Sequence, residues 1–308
     1  MILTITPNPA LDRMYFVEDF DKSRVHRVSR YHAAPGGKGV NVTKVLKALS
    51  QDVRASGFLG GSTGDIIEKK LADMHISNAF VRVREESRTT VSIADSAGET
   101  LELVEPGPAI SEEEARTFDS TLEGLLQESA VVVFSGSLSK GLPSSFYRTA
   151  VDRAKRAGVK TILDTSGTAL KEGLKAGPDL IKPNQKELEE LLGAIMKTPQ
   201  EIANAAFEVL AMGADAVAVS LGAEGMVYVE DDSAFHVEVP SIDAINPVGS
   251  GDSVAAGFAA GFIKEFSLEE RLAYANACGV SNATSERIAR VDPDHVQTLK
   301  ERIRVRRL

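Results

Sequence analysis

Residues 131–164 read VVVFSGSLSKGLPSSFYRTAVDRAKRAGVKTILD, and they contain one complete repeat of the pattern that decides the fold. Two short apolar and β-branched runs, VVVF at 131–134 and TILD at 161–164, are separated by a periodic segment at 144–157 that follows Pro143. The short runs predict buried strands, and the segment after the proline predicts a helix. A strand, a helix and a second strand in this order indicate parallel strands with the helix packed on their sheet.

The same alternation continues on both sides of this stretch. Other short apolar runs predict strands, and other periodic segments with helix-starting residues predict helices. The predicted strands are ILTIT at 2–6, LIK at 180–182 and AVAVS at 216–220, and the predicted helices are 40–50, 112–128 and 199–213. We therefore expect an α/β fold in which helices cover both faces of the sheet.

Two segments interrupt this alternation. Residues 12–32 and 88–104 lack helical periodicity and are rich in β-forming residues, and the second has turn residues at Ser96–Gly98. We interpret them as strands of a small sheet inserted into one main domain that spans residues 1–308. Such a sheet could act as a lid, since closure over a site excludes water from the reacting groups.

Composition excludes several classes of protein. Of the 308 residues, 43% are hydrophobic and 26% are charged, which fits a soluble globular protein rather than a disordered one. The net charge of −9 argues against nucleic acid as a partner, because phosphate backbones are bound by an excess of Lys and Arg. The basic segment KERIRVRR at 300–307 alternates apolar with charged residues and predicts a half-exposed element.

Cysteine, histidine and hydropathy patterns exclude further classes. Cys278 is the sole cysteine, so no disulfide framework or zinc cluster of cysteines can form within the chain. None of the five histidines is paired at metal-ligand spacing. No apolar run approaches the length that spans a bilayer, and the first residues lack a secretory leader pattern. We expect a cytoplasmic protein that has no membrane partner.

The strongest local signal is NPVGSGDS at 246–253, where a glycine-rich turn meets a predicted helix at 254–264. Backbone amides at such a junction and the helix dipole can hold a phosphate, and Gly249 and Gly251 allow a close approach. Asp252 is unusual there, because a carboxylate among anion-binding amides is useful when it accepts a proton or meets a metal. The sequence therefore suggests a general base at Asp252, with a helix cap as the alternative.

Two common nucleotide-binding fingerprints do not occur in the sequence. The pattern G-x-x-x-x-G-K-[ST] fails because Lys38 is followed by Gly39, and G-x-G-x-x-G fails because Gly249 and Gly251 lead to Val254. A P-loop enzyme and a dinucleotide oxidoreductase are therefore disfavoured.

Two further clusters each have two interpretations. In APGGKGVN at 34–41, Lys38 on a glycine loop at a helix start suits an anionic or polyhydroxylated ligand, or it is a surface lysine on an ordinary turn. In KPNQKEL at 182–188, Asn184 and Glu187 could hold Mg²⁺ through its waters, or they could form a capping box.

Two more clusters follow predicted strands. In SLGAEG at 220–225, the glycines let the backbone approach phosphates or a base, although a hairpin turn into 226–229 explains them equally well. In SGSLSK at 135–140, the segment leaves the carboxyl end of a strand, where open α/β sheets bind ligands, and Ser137 would face the crevice.

Taken in this order, the motifs resemble those of the PfkB (ribokinase-like) family of carbohydrate kinases over essentially the whole chain. The similarity is carried by TPNPALD at 6–12, PGGKGVNVTKVLKAL at 35–49, SGSLSKGL at 135–142 and NPVGSGDS at 246–253. Within the family the sequence looks most like the tagatose-6-phosphate kinases and their close relatives, the 1-phosphofructokinases, and Asn246–Pro247 favours the first group. The resemblance implies a doubly wound α/β domain with a small β-sheet lid that often pairs between subunits, and hence a homodimer through the lid.

The resemblance also implies roles for individual residues, with ATP and Mg²⁺ as cofactors and a sugar phosphate as substrate. Asp252 would be the base, and Gly249, Ser250 and Gly251 would form the anion hole. The substrate side would comprise Asp12, Gly37, Lys38, Asn41, Arg88 and Ser137, with Arg27 of the lid reaching the phosphate of the substrate. The nucleotide side would comprise Lys182, Asn184, Glu187, Ser220, Gly222, Gly225 and Asn276, with Asn184 and Glu187 holding the metal through water.

The reaction that this resemblance implies is the ATP-dependent phosphorylation of D-tagatose 6-phosphate on carbon 1, in the tagatose 6-phosphate route of lactose and galactose catabolism. The alternative enzyme is a 1-phosphofructokinase, which would phosphorylate fructose 1-phosphate on carbon 6. A sugar-phosphate sensor without turnover is an alternative of a different class, disfavoured by the presence of Asp252 together with Asn184 and Glu187.

Overall fold

The computed structural model describes residues 1–18, 20–21, 23–95 and 100–308. Its strands, in chain order, are β1 (Ile2–Thr6), β2 (Ala10–Val17), β3 (Arg30–Gly36), β4 (Val53–Gly60), β5 (Ser77–Asn78), β6 (Val81–Val83), β7 (Arg88–Asp95), β8 (Thr100–Val104), β9 (Val131–Ser135), β10 (Lys160–Asp164), β11 (Leu180–Ile181), β12 (Ala216–Ser220), β13 (Met226–Glu230), β14 (Ser233–Glu238) and β15 (Arg304–Arg307). Its α-helices are α1 (Lys38–Ala48), α2 (Gly61–Asp73), α3 (Glu112–Leu126), α4 (Phe146–Arg156), α5 (Gly167–Leu174), α6 (Gln185–Leu192), α7 (Pro199–Leu210), α8 (Ser250–Ile263), α9 (Leu268–Ala283) and α10 (Pro293–Lys300).

The large sheet has the strand order β15-β14-β13-β12-β11-β10-β9-β1-β4-β5, and β6 also pairs with β4. Strands from β12 through β5 run parallel, whereas β13, β14 and β15 add antiparallel strands at one edge. Every residue of β1 and β9 is buried, because helices cover both faces of the central strands. The prediction of an α/β fold on a mostly parallel sheet is confirmed.

Two apolar layers flank the large sheet and account for its doubly wound form. One layer packs the sheet against helices that include α3 and α4, with Phe118 and Phe146 in ring contact. The opposite layer packs the sheet against α1, α8, α9 and α10. Helices α8 and α9 approach closely, since a Cβ at Gly257 would lie 2.5 Å from the Cα of Ala275. This close approach requires small residues on α8, and the packing of α8 against α9 holds the helix in position.

Most predicted elements of the large sheet occur close to their expected bounds. Strand β12 matches AVAVS at 216–220, and α3 begins directly after Ser111, whose side chain forms a capping box with Glu114. Helix α1 begins earlier than predicted, because Gly37 adopts φ 91° and directs the chain into the helix at Lys38. The basic segment at 300–307 contributes the edge strand β15, which is exposed except at the partly buried Val305 and is thus more exposed than the alternation predicted.

A separate small sheet has the strand order β3-β2-β7-β8 and confirms that both unusual segments form strands. Strand β2 pairs antiparallel with β3 and parallel with β7, and β7 pairs antiparallel with β8. The predicted bounds 12–32 were wrong for β3, which runs to Gly36. Pro35 and Gly36 suggested a loop, but β3 is an edge strand, where proline is tolerated. The turn predicted at Ser96–Gly98 lies outside the described residues.

Among the described residues, no helix is both long and apolar enough to span a bilayer.

Candidate active site

An open cleft with a volume of about 1510 Å³ lies between the carboxyl ends of the parallel strands and the inner face of the small sheet. The large sheet contributes Asp164 at the end of β10 and Lys182 just after β11. The small sheet contributes Asp12 and Thr90, which are cross-strand neighbours on β2 and β7. Open α/β sheets bind ligands at this edge, so the cleft is the candidate active site.

Asp252 lies in the first turn of α8 and is 7% exposed. Gly249 is the residue before the helix, with φ 83°, and α8 has no side-chain cap, so the interpretation of Asp252 as a cap was wrong. The side-chain amide of Asn41 donates to Oδ2 of Asp252 at 2.8 Å. Burial and the nearby Asp164 raise the pKa of Asp252 to about 6, although Lys38, among other groups, acts in the opposite direction. Asp252 can therefore both hold and release a proton near neutral pH.

Asp164 is a site residue that the motif analysis did not identify. Its side chain is 1% exposed, with Nζ of Lys38 at 3.2 Å from Oδ1 and Nζ of Lys182 at 3.3 Å from Oδ2. Burial alone would raise the pKa of Asp164, but attraction to Lys182 and Lys38 outweighs burial and lowers the pKa. Asp164 thus remains an anion between two cations. The sequence did contain one signal for Asp164: it is the last residue of the predicted strand TILD, and open α/β sheets bind ligands at the carboxyl ends of their strands.

Lys38 is a cleft lysine rather than a surface lysine on an ordinary turn. Besides Asp164, it faces Oε1 of Glu187 at 3.5 Å. The charge of Asp164, and to a smaller degree that of Glu187, raises the pKa of Lys38, although burial acts in the opposite direction. Its ammonium is therefore charged at neutral pH and lies where an anionic ligand can meet it.

Asn184 and Glu187 form the capping box that was one of their two interpretations. Oδ1 of Asn184 accepts from the Glu187 amide at 2.8 Å, and Oε2 of Glu187 accepts from the Asn184 amide at 2.9 Å. Both residues also line the cleft, and Oε1 of Glu187 faces Lys38. Within the described ranges, no cluster of three or more His, Cys, Asp or Glu side chains could hold a metal ion. These residues fit Mg²⁺ held mainly by phosphates and water, which is how this ion is often bound.

The predicted nucleotide side lies around the hairpin that joins β12 and β13. This hairpin was one interpretation of SLGAEG, and it is confirmed. Gly222 and Gly225 have φ values of 61° and 87°, and with Ser220 they line the cleft. The buried Asn276 on α9 lines the same cleft and donates to the carbonyl of Leu272 at 2.9 Å. The structure thus brings these predicted residues to one wall.

The predicted substrate side lies at the base of the small sheet. Asp12, Gly37 and Arg88 line the cleft, and Nε of Arg88 donates to the Asn8 carbonyl at 3.2 Å. Burial raises the pKa of Asp12, against the opposing charges of Lys44 and Arg88.

The predicted anion hole and Ser137 also lie here. Gly249, Ser250 and Gly251 line the cleft at the amino end of α8. Ser137 lines an adjoining cavity of about 230 Å³ together with Lys38, Arg88 and Glu187. The two cavities therefore share walls at the place where the substrate was expected.

Arg27 is the predicted site residue that the structure does not bring to the cleft. It is exposed and lies in the segment between β2 and β3, where it has no place in the small sheet and does not line the cleft. Arg27 therefore does not line the cleft within a single chain, and its contact with the phosphate of the substrate stays a prediction.

The site combines a buried carboxylate at a glycine-rich helix start with a cleft between a doubly wound sheet and a small sheet. The fold itself is similar to that of ribokinase from Arabidopsis thaliana, with a TM-score of 0.79 and 20% identity over 97% of this chain and 98% of that one. The chain belongs to the pfkB family of carbohydrate kinases, whose family model matches residues 7–293.

Two other relatives are more similar in sequence. The chain is 39% identical to tagatose-6-phosphate kinase of Staphylococcus epidermidis over 308 residues, covering 99% of both proteins. It is 29% identical to phosphofructokinase-2 of Escherichia coli in complex with fructose-6-phosphate, with a TM-score of 0.89 and 98% of both chains covered.

Proposed function

We propose that this carbohydrate kinase transfers a phosphoryl group from ATP to carbon 1 of D-tagatose 6-phosphate. The similarity to a tagatose-6-phosphate kinase over nearly the full length of both chains supports this choice. The observation that carries the proposal is the buried Asp252, held by Asn41 at the amino end of α8 inside the cleft. A positioned base of raised pKa beside a phosphate-binding helix start is what this transfer requires.

In this proposal Asp252 accepts the proton of the attacking sugar hydroxyl. The backbone amides of Gly249, Gly251 and Asp252, at the positive end of the α8 dipole, hold the transferred phosphoryl group. The amide of Ser250, which was expected to join them, instead donates to the Pro247 carbonyl at 3.1 Å. Lys182 lies beside Gly251, and the charges of Lys38 and Lys182 both act on Asp252, so the two lysines add positive charge near these amides. The enzyme thus positions the reactants and neutralises charge, with little covalent work of its own.

The remaining residues have binding roles in the proposal. Mg²⁺, when bound, neutralises charge on the ATP phosphates, and Asn184 and Glu187 would hold it through water. One kinase domain spans the chain, and the small sheet acts as its lid. The nucleotide would be bound by Lys182, Ser220, Gly222, Gly225 and Asn276, and the sugar phosphate by Asp12, Gly37, Lys38, Asn41, Arg88 and Ser137.

Comparison of three substrates tests the proposed specificity. We would measure kcat/KM for tagatose 6-phosphate, fructose 1-phosphate and fructose 6-phosphate with ATP, following ADP formation. The proposal expects the highest kcat/KM for tagatose 6-phosphate. A higher value for fructose 1-phosphate would identify a 1-phosphofructokinase, and a higher value for fructose 6-phosphate would favour the activity of the structural relative. Absence of ADP formation with all three would contradict the proposed function.

The rate should depend on pH through Asp252. The group acts as a base only when ionised, and its pKa is raised to about 6. We expect kcat/KM to be constant above that value and to fall about tenfold per pH unit well below it. A profile from pH 5 to 8 at constant ionic strength checks this. A profile that stays flat down to pH 5 would show that the group has an ordinary carboxyl pKa or is not the base.

We also propose that the chain forms a homodimer through the small sheet. On the face opposite Asp12, the cross-strand row Tyr31, Tyr15, Ile93 and Leu101 is apolar, and Tyr31 and Leu101 are 58% and 45% exposed. A second copy could cover this face, since isologous contacts pair a surface with itself. Sedimentation at micromolar concentration should show a dimer, and Leu101→Asp should shift it to monomer. A wild-type monomer under these conditions would contradict the proposal.

A further inference from the structure

Lys44 is a buried lysine of α1 for which no motif suggested a role. Its side chain is 9% exposed, and its ammonium donates to the Pro35 carbonyl at 3.3 Å and to Oδ1 of Asn41 at 3.0 Å. Burying an ammonium costs free energy unless its N–H groups donate hydrogen bonds, so the acceptors of Lys44 indicate what the residue does. One of them, Asn41, is also the donor to Asp252.

The three side chains form a directional chain of hydrogen bonds. Lys44 donates to the oxygen of the Asn41 amide, and the nitrogen of the same amide donates to Asp252 at 2.8 Å. An ammonium has donors and no acceptor, so only the oxygen end of the Asn41 amide can face Lys44. The nitrogen end must then face Asp252. Lys44 and Asn41 are three residues apart on α1, which places both side chains on one helix face.

Two carboxylates interact with the charge of Lys44. Burial lowers the pKa of Lys44 below its ordinary value, and the negative charges of Asp12 and Asp252 act in the opposite direction. Both hydrogen bonds of the Lys44 side chain go to oxygen acceptors, which fits its ammonium form. The charged groups that face Asp252 are Asp164, Lys38, Lys182 and Lys44.

We propose that Lys44 is a positioning residue that fixes the orientation of the Asn41 amide and thereby holds Asp252 in place for proton transfer. This inference rests on the proposed kinase function and adds a residue that need not touch either substrate. The ammonium has this effect because it can only donate hydrogen bonds. If the Asn41 amide were flipped, its NH₂ group would face the ammonium and its oxygen would face the carboxylate of Asp252, so the ammonium excludes this orientation.

The test compares Lys44→Met with Lys44→Arg and with Lys69→Met, a control at an exposed position of α2. We expect Lys44→Met to lower kcat about 10²-fold, the order of effect of a small misplacement of a catalytic group, with KM for ATP within about threefold of wild type. Lys44→Arg keeps the donors and the charge and should recover most of the loss, and the control should match wild type.

The pH profile distinguishes positioning from a merely structural role. Removing the Lys44 cation favours the protonated form of Asp252, so the acid limb of kcat/KM should move to higher pH in Lys44→Met. If Lys44→Met does not fold, Lys44→Gln is used instead. Glutamine can present either end of its amide, so it no longer fixes Asn41, and the same loss and the same shift are expected.

A double-mutant cycle with Asn41→Leu completes the experiment. If Lys44 acts through Asn41, Lys44→Met should reduce kcat little further in the Asn41→Leu protein. If the losses in kcat caused by Lys44→Met and Asn41→Leu multiply, the inference is overturned. It is also overturned if the Lys44→Met or Lys44→Gln enzyme has the wild-type kcat and an unchanged acid limb of kcat/KM. Both outcomes leave the kinase function intact. A wild-type protein that forms no ADP with any of the three sugar phosphates would instead refute the proposed function.

Discussion

Asp252→Asn is expected to lower kcat by a factor on the order of 10² or more, while ATP binding remains nearly unchanged. Asparagine has almost the same shape, but it cannot accept the proton of the sugar hydroxyl. The backbone amides of the α8 start do not depend on the side chain, so the phosphate contacts should persist. Steady-state kinetics with the preferred sugar phosphate gives kcat, and titration calorimetry gives the dissociation constant for ATP.

The matched control for this substitution is Asp215→Asn. Asp215 is an exposed carboxylate that pairs with Lys155 at 3.3 Å, away from the cleft lining. Its replacement should leave kcat unchanged. If Asp252→Asn retained near-normal turnover, Asp252 would not be the base, and the proton would have to leave through another group.

Asp164→Asn is expected to give the largest loss of stability among single substitutions in the site. The carboxylate is 1% exposed and neutralises Lys182, which is 4% exposed, as well as the more accessible Lys38. Removing one partner of a buried pair leaves an uncompensated charge and costs about 3–5 kcal/mol of unfolding free energy. Urea denaturation at pH 7, where Asp164 is ionised in both the folded and the unfolded state, measures the loss.

Asp215→Asn serves again as the control, because it breaks an exposed ion pair worth at most about 1 kcal/mol. The same Asp164→Asn enzyme should also show a change in its pH profile. Asp164 raises the pKa of Asp252, so its removal should move the acid limb of kcat/KM to lower pH, opposite to the shift expected for Lys44→Met. Equal stability losses in the Asp164 and Asp215 variants would contradict the buried-pair description.

Local patterns in the sequence predicted much of this architecture. The short apolar runs identified β1, β9, β10 and β12, because strands covered on both faces need continuous apolar residues. The glycine turn at 246–253 indicated that a helix follows it, but α8 begins within that turn, at Ser250 rather than at Val254. Strand β3 was placed too early, because its proline and glycines resemble a loop when the pairing with β2 is not known.

The candidate site was predicted in part, and the misses have a common cause. Asp252 and Lys38 were found because they lie beside glycine-rich stretches at helix starts, and Asn41 was assigned through the resemblance to the family. Asp164 and Lys44 lie in an ordinary strand and an ordinary helix, where the one local signal was the position of Asp164 at the carboxyl end of its strand. Asp164 pairs with lysines that are distant in the chain, and the contact of Lys44 with Asn41 matters because both side chains are buried.

The sequence by itself determined the alternation of the predicted strands and helices and the glycine turns near the helix starts, because these depend on neighbours within a few residues. Strand β4 and helix α2 were not predicted. Only the tertiary structure decided which side chains meet: Asn41 donates to Asp252 across 211 residues, and Lys38 pairs with Asp164 across 126. Ionisation depends on distance and burial in space, so the raised pKa of Asp252 follows from folding and not from spacing. The capping box of Asn184 with Glu187 was one of two interpretations of a local pattern, and the structure showed that it forms.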